Sequence, residues 1–136
     1  ALLRTRSDSK RYFAEANGRS LSFAMIETRQ AYDSLDGILE TPGIDGIFVG
    51  PSDFSITLSQ GATNDPLRED MMATVADVAR RAVAAGKGAA MYVNDPAYVG
   101  RYAAMGYRFL SIASDHGIIG LGSRTQLAAA KASLAG

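Results

Sequence analysis

The sequence has no cysteine, and it contains a single histidine among 136 residues. Without cysteine there is no disulfide framework and no thiolate chemistry, and a reducing cytoplasm is the expected compartment. Fourteen basic residues balance fourteen acidic ones, so no net field attracts nucleic acid or an anionic membrane. Nor does any apolar run approach the roughly 20 residues that cross a bilayer. We therefore expect a globular protein that binds neither nucleic acid nor a membrane.

Short apolar segments alternate with helical patterns along the chain. Every predicted strand is apolar on both faces, which is typical of parallel strands covered by helices. The segment 52–64 is expected to be a polar loop with one short turn, and 117–123 a flexible glycine-rich connector. The predicted strands are 21–26, 44–49, 89–93 and 109–113, and the predicted helices are 2–16, 29–40, 66–85, 96–105 and 127–135.

A helix followed by four βα units predicts an α/β fold with a parallel sheet. A closed (β/α)8 barrel, the TIM barrel, needs roughly 200 residues or more. Four units in 136 residues therefore correspond to half of such a barrel. In this fold ligands bind at the carboxyl ends of the strands, and functional side chains are expected there.

Two of the predicted strands end abruptly in a carboxylate, Glu27 after the first strand and Asp53 after the second. Neighbouring strands lie about 4.8 Å apart, so acids at adjacent strand ends can hold one hard cation. Oxygen ligands at an open site suit Mg²⁺ or Mn²⁺, which would act as a Lewis acid on a keto group. On spacing alone two plainer alternatives stay open: a surface salt bridge for Glu27 and a helix cap for Asp53.

Three segments carry a family resemblance. They are Met-Ile-Glu-Thr-Arg-Gln-Ala at 25–31, Leu-Asp-Gly-Ile-Leu at 35–39 and Pro-Gly-Ile-Asp-Gly-Ile-Phe-Val-Gly-Pro-Ser-Asp-Phe-Ser at 42–55. Together they resemble the HpcH/HpaI aldolase family, which comprises metal-dependent (class II) pyruvate aldolases on a TIM barrel. The family includes aldolases for 4-hydroxy-2-oxo-heptane-1,7-dioate and 2-dehydro-3-deoxyglucarate. At lower density the similarity continues to Asp115.

The resemblance implies roles for five residues at the ends of the first two strands. Glu27 and Asp53 match the family's metal-binding carboxylates, so the implied cofactor is Mg²⁺ or Mn²⁺, with Co²⁺ as a further candidate. Ser52 matches the small residue whose backbone amide receives the carboxylate of pyruvate. Gly50 and Pro51 would shape this loop so that the amide points inward.

The sequence departs from the family pattern at two points. Met25 stands where some relatives carry a substrate-contacting glutamine; it shares a strand face with Glu27 and could line the pocket without donating a hydrogen bond. The family's histidine base and its arginine come from the first half of the barrel, and nothing here matches them. His116 is expected to be a solvated loop residue. We therefore interpret residues 1–136 as the C-terminal half of the barrel, roughly strands 5–8, with the N-terminal half absent.

The resulting hypothesis is a lyase that reversibly cleaves 4-hydroxy-2-oxo acids to pyruvate, or a related 2-oxo acid, and an aldehyde. Family relatives form homo-oligomers that exchange their last helix, which implies that residues 123–135 pack on a neighbouring subunit. One alternative is a CoA-ester lyase of the citrate-lyase-β or malyl-CoA type, which should need a basic patch for the CoA phosphates. Another is an inactive half-barrel that associates through its open sheet edges.

Overall fold

A four-stranded parallel sheet organises the protein, whose computed structural model describes residues 9–134. The strand order in space follows the order in the chain, so each strand pairs in parallel with the next. The four strands are β1 (Phe23–Ile26), β2 (Gly46–Val49), β3 (Gly88–Val93) and β4 (Phe109–Ile112). This confirms the predicted α/β class and the predicted strands, each within two residues at its ends.

Helices follow every strand and supply the crossover connections. None of those within residues 9–134 combines the length and apolarity that crossing a bilayer requires. A 3₁₀ turn at Pro96–Tyr98 leads directly into the sixth helix. The helices are α1 (Ser9–Arg19), α2 (Arg29–Asp33), α3 (Leu35–Glu40), α4 (Pro51–Leu58), α5 (Glu69–Ala84), α6 (Val99–Met105) and α7 (Asp115–Leu134).

Several predicted boundaries were wrong, and local hydrogen bonds explain most of them. The helix predicted over 29–40 divides at Ser34, whose N–H donates to the Gln30 and Tyr32 carbonyls. The helix predicted from residue 66 begins at Glu69, because Asp65 accepts the Leu67 N–H in a preceding turn. Of the helix predicted over 2–16, residues 2–8 lie outside the described residues, as does residue 135 of the last helix.

Three segments expected to be irregular are helical. The first helix was predicted to end at residue 16, yet α1 continues to Arg19, whose guanidinium pairs with Glu15 at 2.8 Å one turn earlier. The loop predicted from residue 52 is largely α4. The connector predicted over 117–123 belongs to α7, where the Ser114 hydroxyl accepts the Gly117 N–H at 3.1 Å and caps the first turn.

The hydrophobic core lies between the sheet and the helices on one of its faces. Complete burial of one valine, leucine, isoleucine, phenylalanine or methionine side chain stabilises the fold by about 1.5–3 kcal/mol. Because alternate strand residues face opposite ways, each strand sends every second residue into this core. The fully buried members include Ile26, Ile47, Val49, Met91 and Val93 of the sheet, Leu35 of α3, and Met71, Val75 and Val78 of α5.

The opposite face of the sheet carries large apolar side chains that no helix within residues 9–134 covers. Phe109 is 56% exposed and Met25 is 52% exposed. The Phe23 ring lies against Gly46 of the neighbouring strand. A Cβ built on Gly46 would come within 2.5 Å of Phe23 Cε1. The centroid of the Phe23 ring is 6.0 Å from that of Phe109. In a barrel this face would form the interior.

Tyr107 is fully buried beside α5 and donates its hydroxyl hydrogen to the Val75 carbonyl at 2.8 Å. Replacing Tyr107 with phenylalanine removes this bond and should lower the free energy of unfolding by about 1 kcal/mol at neutral pH. Urea denaturation of the variant measures the change. Tyr12→Phe, at a tyrosine that is 49% exposed, is the control and should have little effect.

The stability of the unsubstituted protein and that of Tyr107→Phe should also depend differently on pH. Burial raises the pKa of Tyr107, so the folded state keeps this proton while the unfolded chain releases it above about pH 10. The stability contributed by Tyr107 is therefore present below pH 10 and declines above it. Tyr107→Phe has no such decline, so the gap in stability between the two proteins should narrow as the pH rises through 10. A constant gap would contradict this assignment.

Candidate metal and substrate site

The parallel pairing of β1 with β2 sets the position of the first predicted ligand. Ile26 pairs with Val49, and the Gly50 N–H donates to the Ile26 carbonyl at 3.3 Å. The next residue on each strand is therefore Glu27 beside Gly50, at the carboxyl end of the sheet. Met25, two residues before Glu27, lies on the interior face as expected from strand alternation.

The Glu27 carboxylate occupies space that exists because Gly50 has no side chain. A Cβ built on Gly50 would come within 2.6 Å of Glu27 Oε2 and within 3.3 Å of Glu27 Cβ. Gly50 has φ −96° and ψ 91°, a conformation that other residues also adopt. The glycine is thus explained by the close approach of Glu27 rather than by its backbone angles.

Helix α4 begins directly after Gly50 and carries the second predicted ligand. Gly50 is the N-cap, the buried Pro51 is the first helical residue, and the Phe54 N–H donates to the Gly50 carbonyl at 3.0 Å. Asp53 lies in the first turn and is exposed. The alternative in which Asp53 caps the helix is wrong, because Gly50 is the cap.

Ser52 is half-buried in the same first turn. Backbone N–H groups in the first turn of a helix have no partner within the helix. They also lie at the positive end of the helix dipole, which favours anions. The predicted contact between the Ser52 amide and a substrate carboxylate stays a prediction, but the local structure presents a suitable donor.

One hydroxyl connects the two predicted ligands. Thr57 Oγ1 lies 3.0 Å from the Glu27 carbonyl oxygen and 3.1 Å from the Asp53 carbonyl oxygen. The structure therefore brings these residues together although they belong to different elements. Sequence reasoning missed Thr57. Its position one turn after Asp53 was the available signal, but that spacing gives no indication of the contact with Glu27.

Glu27 and Asp53 both carry carboxylates, the kind of oxygen ligand that a hard divalent cation prefers. Within residues 9–134 neither of them takes part in an ion pair, so the salt-bridge alternative for Glu27 finds no partner there. The same part of the chain contains no group of three or more acidic, histidine or cysteine side chains able to hold a metal. Two carboxylates with open coordination positions suit Mg²⁺, which usually keeps several waters and binds substrate oxygens.

Three further polar residues lie near the carboxyl ends of β3 and β4. Tyr92 and Asn94 line a small cavity that Pro51 also bounds. His116 is exposed, as expected, but it lies in the first turn of α7 rather than in a loop. The backbone N–H of His116 donates to Asp115 Oδ1 at 2.8 Å.

Comparison with known proteins identifies the family of this chain. The profile of the family described as HpcH/HpaI aldolase/citrate lyase matches residues 2–119. A hydroxypyruvate/pyruvate aldolase from Rhizorhabdus wittichii is 33% identical over 121 residues, which cover 89% of this chain and 48% of that protein. A 2-keto-3-deoxy-L-rhamnonate aldolase from Klebsiella pneumoniae is 38% identical over 104 residues, which cover 76% of this chain and 38% of that protein.

A solved structure has the same fold. It is an HpcH/HpaI aldolase/citrate lyase family protein from Burkholderia cenocepacia, with a TM-score of 0.78 and 26% identity over 94% of this chain and 50% of that one. The chain thus spans half the length of this structure and half or less of the curated relatives above. The match confirms the predicted partial barrel.

Replacing Gly50 with alanine should displace the Glu27 carboxylate at small cost in stability. The nearest atom to the new Cβ is the end of a flexible side chain, so the carboxylate can rotate away. We expect the ¹³C resonances of the Glu27 side chain to shift while the midpoint of thermal unfolding changes little. Gly37→Ala is the matched control, because nothing lies within 4 Å of its Cβ. Unchanged Glu27 resonances in Gly50→Ala would contradict the described packing.

Proposed function

Because the chain belongs to the HpcH/HpaI aldolase/citrate lyase family, we propose that the protein is a metal-dependent lyase. It would reversibly cleave 4-hydroxy-2-oxo acids to pyruvate, or a related 2-oxo acid, and an aldehyde. The observation that carries the proposal is the placement of Glu27 and Asp53 around Gly50 at the carboxyl end of β1 and β2. The names of the curated relatives, which describe aldolases of hydroxypyruvate, pyruvate and a keto-deoxy sugar acid, support the reaction class.

The position of one group supports each proposed role. Glu27 and Asp53 would hold Mg²⁺, Mn²⁺ or Co²⁺, which would supply Lewis acidity toward a keto oxygen. The Ser52 N–H, in the first turn of α4, would hold the carboxylate of the 2-oxo acid. Gly50 keeps the Glu27 carboxylate close to the start of α4, and Pro51 fixes the backbone at the first helical position.

Other features of the chain complete the proposal. Met25 would present an apolar wall to the substrate beside Glu27, since it lies on the same face and is half exposed. The base that moves the hydroxyl proton would belong to the other half of the barrel. Helix α7 exposes Leu127 and Leu134, which supports packing of residues 123–135 on a neighbouring subunit in a homo-oligomer. The cytoplasmic location expected from the cysteine-free sequence stays a prediction.

Glu27→Gln and Asp53→Asn should each abolish metal-dependent pyruvate release by the whole protein. Each change replaces a charged oxygen ligand with a neutral amide of similar shape, so the fold should survive while the affinity for the cation falls. Pyruvate release from a 4-hydroxy-2-oxo acid at saturating Mn²⁺ measures activity, and calorimetric titration of this chain with Mn²⁺ measures binding. Asp33→Asn and Glu40→Gln remove exposed acids of α2 and α3 and serve as controls.

Near-normal turnover in either site variant would defeat the metal assignment. The CoA-ester lyase alternative shares the two acids but not the substrate. Cleavage of a malyl thioester without pyruvate release from the hydroxy-oxo acid would therefore favour that alternative.

A second candidate, an inactive half-barrel, is favoured by the uncovered interior face. A sheet with exposed apolar side chains and two open edges should associate with further copies. Phe109, on the edge strand β4, is 56% exposed, and its ring lies beside those of Phe23 and Phe48 at centroid distances of 6.0 and 6.3 Å. This face would be the contact between copies of the 136-residue chain.

The 136-residue chain alone should run as a dimer or larger species in size-exclusion chromatography with light scattering. Phe109→Ser removes apolar area from the interior face and should shift the distribution toward monomer. Phe13→Ser, at a phenylalanine that is 76% exposed on α1, is the matched control and should leave it unchanged. A soluble monomer that releases pyruvate would rule out this second candidate.

A further inference from the structure

The Thr57 hydroxyl has a different hydrogen-bond partner from the hydroxyls of three other threonines, which lie in or at the end of α3, α5 and α7. The hydroxyls of Thr41, Thr74 and Thr125 each donate to the carbonyl four residues earlier, at 2.8 to 3.0 Å. Such bonds are local and add little beyond the helix itself. Thr57 has local acceptors too, but its shortest contact, at 3.0 Å, is the carbonyl of Glu27, 30 residues earlier in the chain.

The hydroxyl has one hydrogen and three acceptors within reach. The carbonyls of Asp53 and Phe54 both lie 3.1 Å from Thr57 Oγ1, and that of Glu27 lies at 3.0 Å. A hydroxyl donates one hydrogen at a time. The Asp53 and Phe54 carbonyls belong to the helix that carries Thr57, whereas the Glu27 carbonyl belongs to the end of β1. The bond to Glu27 is therefore the one that links two elements.

This link joins the backbones of the two residues proposed to hold the cation. Glu27 is the last residue before the turn into α2, and Asp53 is one helical turn before Thr57 in α4. A carboxylate can be held in place only if its backbone is held too. Gly50 leaves room for the Glu27 side chain, whereas the Thr57 hydroxyl contacts the Glu27 backbone.

We propose that Thr57 is a positioning residue for the metal site: its hydroxyl ties the Glu27 backbone to helix α4, which carries Asp53 one turn earlier. The inference rests on the proposed function, because it takes Glu27 and Asp53 as the ligands. Thr57 itself touches neither the cation nor the substrate. Its effect is on the relative position of the two carboxylates before any ligand arrives.

The test compares Thr57→Val, Thr57→Ser and Thr74→Val in the 136-residue chain. Valine keeps the branched shape of threonine and removes the donor, whereas serine keeps the donor and removes the methyl group. Thr74→Val is the matched control, because it removes a hydroxyl bonded only within α5. Calorimetric titration with Mn²⁺ gives the dissociation constant, and thermal unfolding without metal gives the stability.

Thr57→Val should weaken Mn²⁺ binding about tenfold, the lower end of the effects seen for residues that orient metal ligands. Thr57→Ser should stay within about twofold of the unsubstituted chain, since its donor remains. Thr74→Val should bind Mn²⁺ normally, and its thermal midpoint should change less than that of Thr57→Val, because the Thr74 bond lies within one helix. A purely structural role would lower the midpoint of Thr57→Val without a selective loss of Mn²⁺ affinity, and that result would overturn the proposal.

A metal-free measurement examines the link itself. Hydrogen exchange at the Gly50 amide, which donates to the Ile26 carbonyl beside Glu27, should be faster in Thr57→Val and unchanged in Thr57→Ser and Thr74→Val. Equal exchange in all four proteins would overturn the link.

Glu27→Gln, titrated in parallel, separates this inference from the proposed function. If Glu27→Gln loses Mn²⁺ binding while Thr57→Val keeps it, the metal site stands and the role of Thr57 is refuted. If Glu27→Gln binds Mn²⁺ as tightly as the unsubstituted chain, the metal assignment fails, and the positioning role fails with it.

Discussion

The site depends on one constraint, the parallel register in which Ile26 pairs with Val49. Side chains alternate along a strand, so a slip of one residue would turn Glu27 to the opposite face of the sheet. The buried side chains of Ile26, Ile47 and Val49 oppose such a slip, because it would expose all of them to water. The hydrophobic core on one face of the sheet therefore determines where the carboxylate appears at its end.

Backbone features determine most of the local geometry at the site. Gly50 contributes by lacking a side chain, Ser52 by an amide in the first turn of α4, and Thr57 by holding a carbonyl. The two carboxylates bring charge to a position that the main chain defines. A Cβ on Gly50 would displace the Glu27 carboxylate from that position.

The sequence was sufficient to predict the sheet and insufficient to predict the links between elements; Glu27 and Asp53 stay predicted ligands. Continuous apolar runs ended by Gly50 and by Asn94 mark buried parallel strands, and the alternation of strands with helices determines their order. Helix boundaries depended on capping that competes locally, as at Ser34, which divides a predicted helix. The contact from Thr57 to Glu27 spans 30 residues. No local pattern encodes such a contact, since it exists only once β1 and α4 are placed side by side.

The two faces of the sheet have different roles. Packing against α5 and its neighbours fixes the strands, so the geometry around Glu27 and Gly50 follows from contacts made within this chain. The opposite face presents Met25, Phe48 and Phe109 toward what would be a barrel interior. A substrate bound at the carboxyl ends needs walls on all sides to exclude water, because electrostatic stabilisation of developing charge is strong only in a site from which water is excluded. The chain would therefore place the proposed cation ligands by itself, whereas the proposed catalysis would require that the interior face be closed by further strands.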